Sequence, residues 1–231
     1  SRRRSRMSRR IAVVTGSRAD FGLLRSTMEA IAAAPGLELQ VVAAGAHLLP
    51  PDETVEEVRE HFHVDAVVEM QHAGRVGRRA DATATGRGVV GFTAAFERLD
   101  PEVVIVLGDR IEAFAAAASA GIGGRMVAHV HGGDRAEGVA DESMRHAITK
   151  LSHLHFPATS VSGERILRLG EPADSVHVVG SPAVDGVEAM PPLDEEMFDR
   201  FGRPRLVVLQ HGSGLDEPSE RAWIDAALEA S

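Results

Sequence analysis

Cysteine is absent from the 231 residues of this chain, which excludes disulfides and thiolate metal sites. The absence fits a reducing compartment, and we therefore expect a cytoplasmic protein. No apolar run is long enough to span a bilayer, and no apolar signal region precedes the first predicted strand. We accordingly expect no membrane partner.

Positive charge is scarce, because 25 lysines and arginines face 34 aspartates and glutamates, for a net charge of -9. The leader "SRRRSR" holds four of the arginines, so the remainder is more acidic still. This balance argues against nucleic acid as a partner. We take residues 1–10 as a leader that is disordered or foreign to the folded domain.

Short apolar runs alternate with segments of helical apolar spacing along residues 11–185. Strands are predicted at Ile11–Thr15, Leu39–Ala44, Ala66–Met70, Val103–Leu107, Met126–His131 and Val176–Val179, with a short one near His155. Helices are predicted at Gly22–Ala34, Thr54–Phe62, Gly88–Leu99, Ile111–Ala120, Asp141–Ser152, Ser160–Leu169 and Glu217–Ala230. The alternation predicts an α/β fold, a Rossmann-like doubly wound parallel sheet covered on both faces.

A change of composition follows residue 185. Residues 186–204 contain paired prolines and several acids without strand periodicity, which predicts a linker. Residues 205–231 predict one strand and one helix, the start of a second Rossmann-like domain. Because one such unit cannot bury its own faces, we expect this second domain to be incomplete here.

Three predicted strands are followed by segments that combine glycines with charged residues or histidines. They are "TGSRADFG" at residues 15–22, Gly108-Asp109-Arg110, and "HVHGGD" at residues 129–134. In a doubly wound sheet, ligands bind outside the carboxyl ends of the strands where the strand order reverses. In the common order the first and fourth strands flank that point. We therefore expect these three segments to converge.

Each segment also has a structural interpretation. The first is a strand-to-helix turn, whose amides suit phosphate but often serve only as a turn. Asp109 also suits the cap of the helix that begins at Ile111. His129 and His131 alternate along a strand, so one faces the interior and the other the crevice, which disfavours a metal pair.

The stretch "DESMRHAITK" places two carboxylates at a helix start and pairs Asp141 with Arg145, and Glu142 with His146, at i,i+4 spacing. A capping carboxylate with surface ion pairs would explain it. Its position shortly after "HGG" favours the crevice instead. Carboxylates and imidazoles beside arginines indicate acid/base chemistry on an anionic substrate.

Several ordered motifs, "TGSRADFG", "VLGDRIE", "HVHGG…EGVADESMRHAITKLSHLHF", "GE…VHVVGSPAVD" and "LQHGSG", resemble the hydrolysing UDP-N-acetylglucosamine 2-epimerases of sialic-acid-type pathways. The resemblance implies the N-terminal half of a two-domain GT-B architecture with its active site between the halves. It implies anti elimination of UDP and hydration to a free N-acetylmannosamine-type sugar. It also implies no cofactor, no catalytic metal, and a homo-oligomer, either dimer or tetramer.

The resemblance assigns catalytic roles to Asp109, Asp141, His131 and His211. His131 stands where many relatives have glutamate, and Gly212 stands where they have proline. Substrate contacts are implied for Gly16, Arg18, Ala19, Gly22, His47, Arg110, Gly132, Gly133, Glu142 and Arg145. Two other functions stay open: a non-hydrolysing UDP-sugar 2-epimerase, and a non-catalytic nucleotide-sugar-binding module.

Overall fold

The computed structural model describes residues 8–51, 53–135, 141–203, 206, 208 and 217–229. By internal contacts the chain divides into two compact units, Ser1–Asp185 and Gly186–Ser231. Within the described residues no helix is both long enough and apolar enough to cross a membrane.

The first unit is built on one sheet of six parallel strands. They are β1 (Arg9–Thr15), β2 (Leu37–Ala44), β3 (Val64–Val68), β4 (Val103–Leu107), β5 (Met126–Val130) and β6 (Leu154–Phe156). Their order is β3-β2-β1-β4-β5-β6, so the direction of winding reverses between β1 and β4. The doubly wound prediction and its switch point are confirmed.

Helices cover both faces of the sheet. The first unit contains α1 (Arg18–Ala33), α2 (Val55–His61), α3 (Arg78–Leu99), α4 (Ile111–Ile122), α5 (Asp141–Leu151) and α6 (Ser160–Arg168). One buried cluster joins α3, α4 and α5 to the sheet, and a second joins α1 and α2 to the opposite face. Burial on both faces explains why the strands are continuously apolar rather than alternating.

Most predicted elements are present with ends shifted by up to four residues, and β1 begins at Arg9, so the last two residues of the expected leader belong to the sheet. Two elements differ further. Helix α3 begins at Arg78 and not at the predicted Gly88. The sequence does not indicate its first turns, because they carry few apolar residues and show no apolar period. The predicted strand Val176–Val179 is wrong, since Val176 forms only an isolated bridge with His155. Pro157 follows β6 and has no N–H to extend the ladder.

The second unit contains α7 (Glu195–Arg200) and α8 (Glu217–Glu229) within its described residues. Asp194 caps α7, its side chain accepting from the Met197 amide at 2.7 Å. The segment expected to be only a linker therefore includes a short helix. The strand predicted after residue 204 lies mostly outside the described residues.

A buried histidine supports the carboxyl edge of the sheet. His129 on β5 has no exposed surface. Its Nε2 lies 2.7 Å from the Gly108 carbonyl, and its Nδ1 lies 3.2 Å from Thr149 Oγ1. Because a carbonyl only accepts, Nε2 carries the proton. Burial lowers the pKa of His129 to about 3, against the opposing effect of the Gly108 hydrogen bond.

We predict that Phe92→Ala lowers the free energy of unfolding by about 3–5 kcal/mol, because Phe92 is fully buried between α3 and the sheet. Val90 lies on the same helix and is 72% exposed, so Val90→Ala should change it by no more than about 0.5 kcal/mol. Urea unfolding of both variants measures the difference. Equal losses would contradict this packing of α3.

We predict that His129 makes stability fall with acidity. The folded chain holds His129 neutral while the unfolded chain protonates it, so stability is lost as pH drops from 6.5 toward about 3. One such group contributes a slope of up to about 1.4 kcal/mol per pH unit. Unfolding free energies measured across this range should show a smaller slope for His129→Gln. The exposed His63→Gln control should keep the wild-type slope, and identical slopes in all three proteins would refute the assignment.

Candidate active site

The exits of β1, β4 and β5 converge on one cavity of about 290 Å³ at the carboxyl edge of the sheet. Its lining residues are Asp20, Leu23, Leu107, Gly108, Asp109, Arg110, His131, Asp134 and Arg145. The cavity lies at the switch point, as the strand order requires. Three carboxylates, two guanidinium groups and one imidazole thus meet in a small space.

An ion pair between Asp109 and Arg145 crosses this cavity. Arg145 Nη2 donates to Asp109 Oδ2, while Nη1 donates to the His131 carbonyl at 2.9 Å. Only 11% of the Arg145 side chain and 17% of the Asp109 side chain are exposed. Arg145 on α5 therefore fixes the loops after β4 and β5 relative to each other.

The Asp109 contact also decides between the two interpretations of its motif. Arg110, not Asp109, occupies the N-cap position of α4. The Asp109 carboxylate reaches Arg145 on another helix. Its place after β4 is therefore explained by the cavity rather than by helix capping.

The turn after β5 aims the His131 side chain into the cavity wall. His131 has a φ of 62°, in the left-handed region that non-glycine residues seldom adopt. Its Nδ1 lies 2.7 Å from Asp134 Oδ2, and its Nε2 lies 2.9 Å from Ser181 Oγ. His129 is buried behind the sheet edge, so the two histidines do face different environments.

Gly132 and Gly133 make this turn sterically allowed. A Cβ on Gly132 would lie 2.9 Å from His129 Nδ1. Gly133 has a φ of 77°, and a Cβ there would overlap the Ser162 carbonyl oxygen. Both predicted binding glycines therefore hold the turn close to its neighbours.

The environment shifts two cavity carboxylates in opposite directions. Burial raises the pKa of Asp20, although the nearby Arg110 charge opposes the shift. Burial also disfavours the charged form of Asp134, but hydrogen bonds from Ser162 and His131 outweigh it and lower the pKa of Asp134. The charged form is therefore less favoured at Asp20 than at Asp134, although both carboxylates line the same cavity.

A buried carboxylate supports the loops after β1 and β2. Glu112 on α4 is 1% exposed, accepts from Gln71 Nε2 at 2.7 Å, and lies 3.3 Å from Arg110 Nε. A Cβ on Gly16 would lie 2.7 Å from Glu112 Cβ, and one on Gly45 would also overlap the Glu112 side chain. Gly16 therefore packs against Glu112.

Other predicted contacts lie away from this cavity. His47 is fully buried between the hydroxyl groups of Thr15 and Thr54, each 2.8 Å from a ring nitrogen. Burial lowers the pKa of His47, although the charge of Glu112 opposes the shift. The structure places this imidazole in the scaffold, where it has no surface to offer a ligand.

Four further predicted positions lie on exposed or half-buried surface. Arg18 pairs with Glu57 at 3.1 Å, and its side chain is 75% exposed. Ala19 and Gly22 are exposed on α1. Glu142 on α5 lies 3.6 Å from Arg135. None of the four lines the cavity.

Two predicted catalytic side chains lie outside the described part of the chain: that of Asp141, where α5 begins, and that of His211. Two cavity carboxylates, Asp20 and Asp134, were missed. Both belong to motifs that sequence reasoning selected, and the polar residues within those motifs were the available signal. In the part of the chain that the structure describes, no group of three or more histidine, aspartate or glutamate side chains is arranged to hold a metal.

Comparison with known proteins shows an extended match. The family model of UDP-N-acetylglucosamine 2-epimerase matches residues 29–229. A Legionella pneumophila UDP-N,N'-diacetylbacillosamine 2-epimerase (hydrolyzing) is 37% identical over 85% of this chain and 52% of its own length. A Neisseria meningitidis UDP-N-acetylglucosamine 2-epimerase is 34% identical, with the same coverage. The chain thus spans about half the length of these relatives.

The fold agrees with solved structures. A Neisseria meningitidis UDP-GlcNAc 2-epimerase bound to UDP-GlcNAc superposes with a TM-score of 0.69 at 21% identity, over 78% of this chain and 48% of that one. At this identity the likeness supports the fold. Together with the family match across most of its length, it leads to one conclusion: the chain belongs to the UDP-N-acetylglucosamine 2-epimerase family.

Proposed function

We propose that this protein acts as a hydrolysing 2-epimerase on UDP-N-acetylglucosamine or a related UDP-2-acetamido sugar. The products would be UDP and a free N-acetylmannosamine-type sugar. The observation that carries the proposal is the meeting of Asp109, His131 and Asp134 with two arginines in one cavity at the switch point. Such a set combines proton-transfer groups with cations for an anionic leaving group.

The arginines suit the departure of a diphosphate. Arg110 and Arg145 both line the cavity, and each already contacts a carboxylate, Glu112 and Asp109 respectively. Guanidinium groups that are already fixed by such ion pairs need little reorganisation when negative charge develops on the oxygen of a leaving group. They would offset that charge as the bond from UDP to the sugar breaks.

The acids and the imidazole suit the accompanying proton transfers. Loss of UDP develops positive charge at C1, which acidifies the proton at C2 and lets a carboxylate or imidazole remove it. A carboxylate such as Asp109 near C1 would also stabilise the oxocarbenium character, as in glycoside cleavage. We assign the C2 base to His131. Water then adds to the 2-acetamidoglycal to give the free sugar.

One comparison supports hydrolysis, because the Legionella relative is named as a hydrolyzing 2-epimerase. The Neisseria structure is described as bound to UDP-GlcNAc, which supports a UDP-sugar ligand for either reaction. The Neisseria relative named only as a UDP-N-acetylglucosamine 2-epimerase keeps a non-hydrolysing reaction as the second candidate.

Proton NMR of UDP-N-acetylglucosamine incubated with the protein separates the candidate functions. Free N-acetylmannosamine together with UDP supports hydrolysis. UDP-N-acetylmannosamine would replace our proposal with a non-hydrolysing epimerase. Shift changes without turnover would indicate a binding module. If this chain is part of a longer protein, the same assay is run on that protein.

We predict that Asp109→Asn lowers turnover of the UDP-sugar by about 10²-fold or more, because it removes a carboxylate that participates in the reaction. UDP binding, measured by calorimetry, should persist in this variant, because the asparagine amide oxygen can still accept from Arg145 and hold the cavity together. Asp174 is an exposed aspartate in a short turn, so Asp174→Asn serves as the control and should keep full turnover. Near-wild-type turnover of Asp109→Asn would remove Asp109 from the mechanism.

A further inference from the structure

A continuous chain of hydrogen bonds runs through the His131 imidazole. Nδ1 meets Asp134 Oδ2 at 2.7 Å, and Nε2 meets Ser181 Oγ at 2.9 Å. The Asp134 carboxylate continues the chain, because its Oδ1 lies 2.6 Å from Ser162 Oγ. Ser162 Oγ in turn lies 2.9 Å from Thr159 Oγ1 at the start of α6. The chain links three segments of the fold around one ring.

The ionised state of Asp134 sets the direction of this chain. Its hydrogen bonds lower the pKa of Asp134 despite its burial, so the carboxylate accepts and does not donate. Ser162 Oγ must therefore donate to Oδ1, and His131 Nδ1 must donate to Oδ2. A neutral imidazole that is protonated at Nδ1 has its lone pair at Nε2. The Ser181 hydroxyl must then donate to Nε2.

The remaining hydroxyl contacts agree with this direction. Ser181 Oγ accepts from the Ala183 amide at 3.3 Å, which leaves its single proton for His131. Thr159 Oγ1 accepts from the Ser162 amide at 3.1 Å, which leaves its proton for Ser162 Oγ. Each of the three hydroxyl groups, those of Ser181, Ser162 and Thr159, thereby donates its proton to one acceptor. A fully satisfied network of this kind specifies one arrangement.

The order Ser181, His131, Asp134 matches that of a serine nucleophile with its base and orienting acid, but the surroundings do not support acyl transfer. The residue after Ser181 is Pro182, which has no N–H to stabilise an oxyanion. The next amide, that of Ala183, is directed at Ser181 Oγ itself. The two residues that follow Ser181 therefore supply no oxyanion donor, and the contact of the serine with the imidazole is the one that the structure shows.

We propose that Asp134 and Ser181 are positioning residues that hold His131 as the Nδ1–H tautomer, with Nε2 as its basic atom and the Ser181 hydroxyl on its lone pair. The proposal rests on the proposed function for its catalytic meaning, since His131 there acts as the C2 base. The turn that contains Ser181 would thus present the base in one orientation. A substrate group that gives its proton to Nε2 would take the place of the Ser181 hydroxyl.

The tautomer can be measured without any turnover. Long-range ¹H–¹⁵N NMR of the 231-residue chain distinguishes protonated from bare ring nitrogens, and a His131→Ala variant identifies the His131 signals among the 11 histidines. We expect Nδ1 protonated and Nε2 bare in the neutral imidazole. In Asp134→Ala most of the proton should move to Nε2, which free imidazoles prefer. Protonation of Nε2 in the wild type, or an unchanged tautomer in Asp134→Ala, would overturn the proposal.

Ser162→Ala is the matched control for Asp134→Ala. It removes one hydrogen bond to the same carboxylate and leaves the contact with His131, so the Nδ1–H tautomer should persist. Ser181→Ala tests the other side of the ring and remains informative if Asp134→Ala does not fold. It should keep the tautomer but shift the Nε2 resonance, and Ser181→Thr should restore that shift. No shift in Ser181→Ala would exclude Ser181 from the chain.

Kinetics separate this proposal from the proposed function. In a form of the protein that turns over UDP-sugar, Asp134→Ala should lower kcat about tenfold or more with little change in KM, because it removes the hydrogen bond that keeps Nε2 free of a proton. Ser162→Ala, which leaves the contact between His131 and Asp134 in place, should lower kcat less. Turnover with Nε2 protonated in the wild type would refute only the positioning of His131. The expected tautomer in a protein without any UDP-sugar turnover would refute only the epimerase assignment.

Discussion

The ion pair between Asp109 and Arg145 is the contact on which the site depends. It joins the loop after β4 to α5, and Nη1 of the same Arg145 guanidinium donates a hydrogen bond to the His131 carbonyl after β5. Loss of one member would leave the other charge largely buried without compensation, which typically costs about 3–5 kcal/mol. The pair therefore maintains the geometry of the cavity as well as its charge.

The two histidines near the end of β5 show how one strand serves two purposes. His129 points into the protein, stays neutral, and holds the Gly108 carbonyl beside Asp109. His131 follows the strand end in a left-handed conformation and contributes to the cavity wall. His129 thus positions the loop that carries Asp109, while His131 places its imidazole in the wall of the cavity.

The architecture could be predicted from the sequence because its strands are buried on both faces and read as apolar runs. The convergence of Asp109 and His131 followed from strand order, since parallel strands end at one edge. Arg145 lies on α5, and its position shortly after "HGG" was the signal that placed it near the same crevice. The start of α3 could not be predicted, because residues 78–87 lack an apolar period. Burial of His47 depends on contacts with Thr15 and Thr54, which lie in other segments and which local patterns do not encode. Val176–Val179 has the apolar pattern of a strand and donates to the carbonyls of His155 and Pro157, but Pro157 has no N–H to donate in return and continue the ladder.

The packing of Glu112 against Gly16 and Gly45 has a consequence for sequence change in this family. The two glycines lie in different loops, yet both abut the same side chain. A larger residue at position 16 would require a smaller or displaced side chain at position 112, and a displaced carboxylate would release Gln71 and Arg110 as well. Gly45 has a φ of 60°, so a side chain there is strained whatever stands at position 112. Positions 16 and 112 should thus vary together among homologues while position 45 stays glycine, and libraries that diversify these loops should change the first two at once or keep them constant.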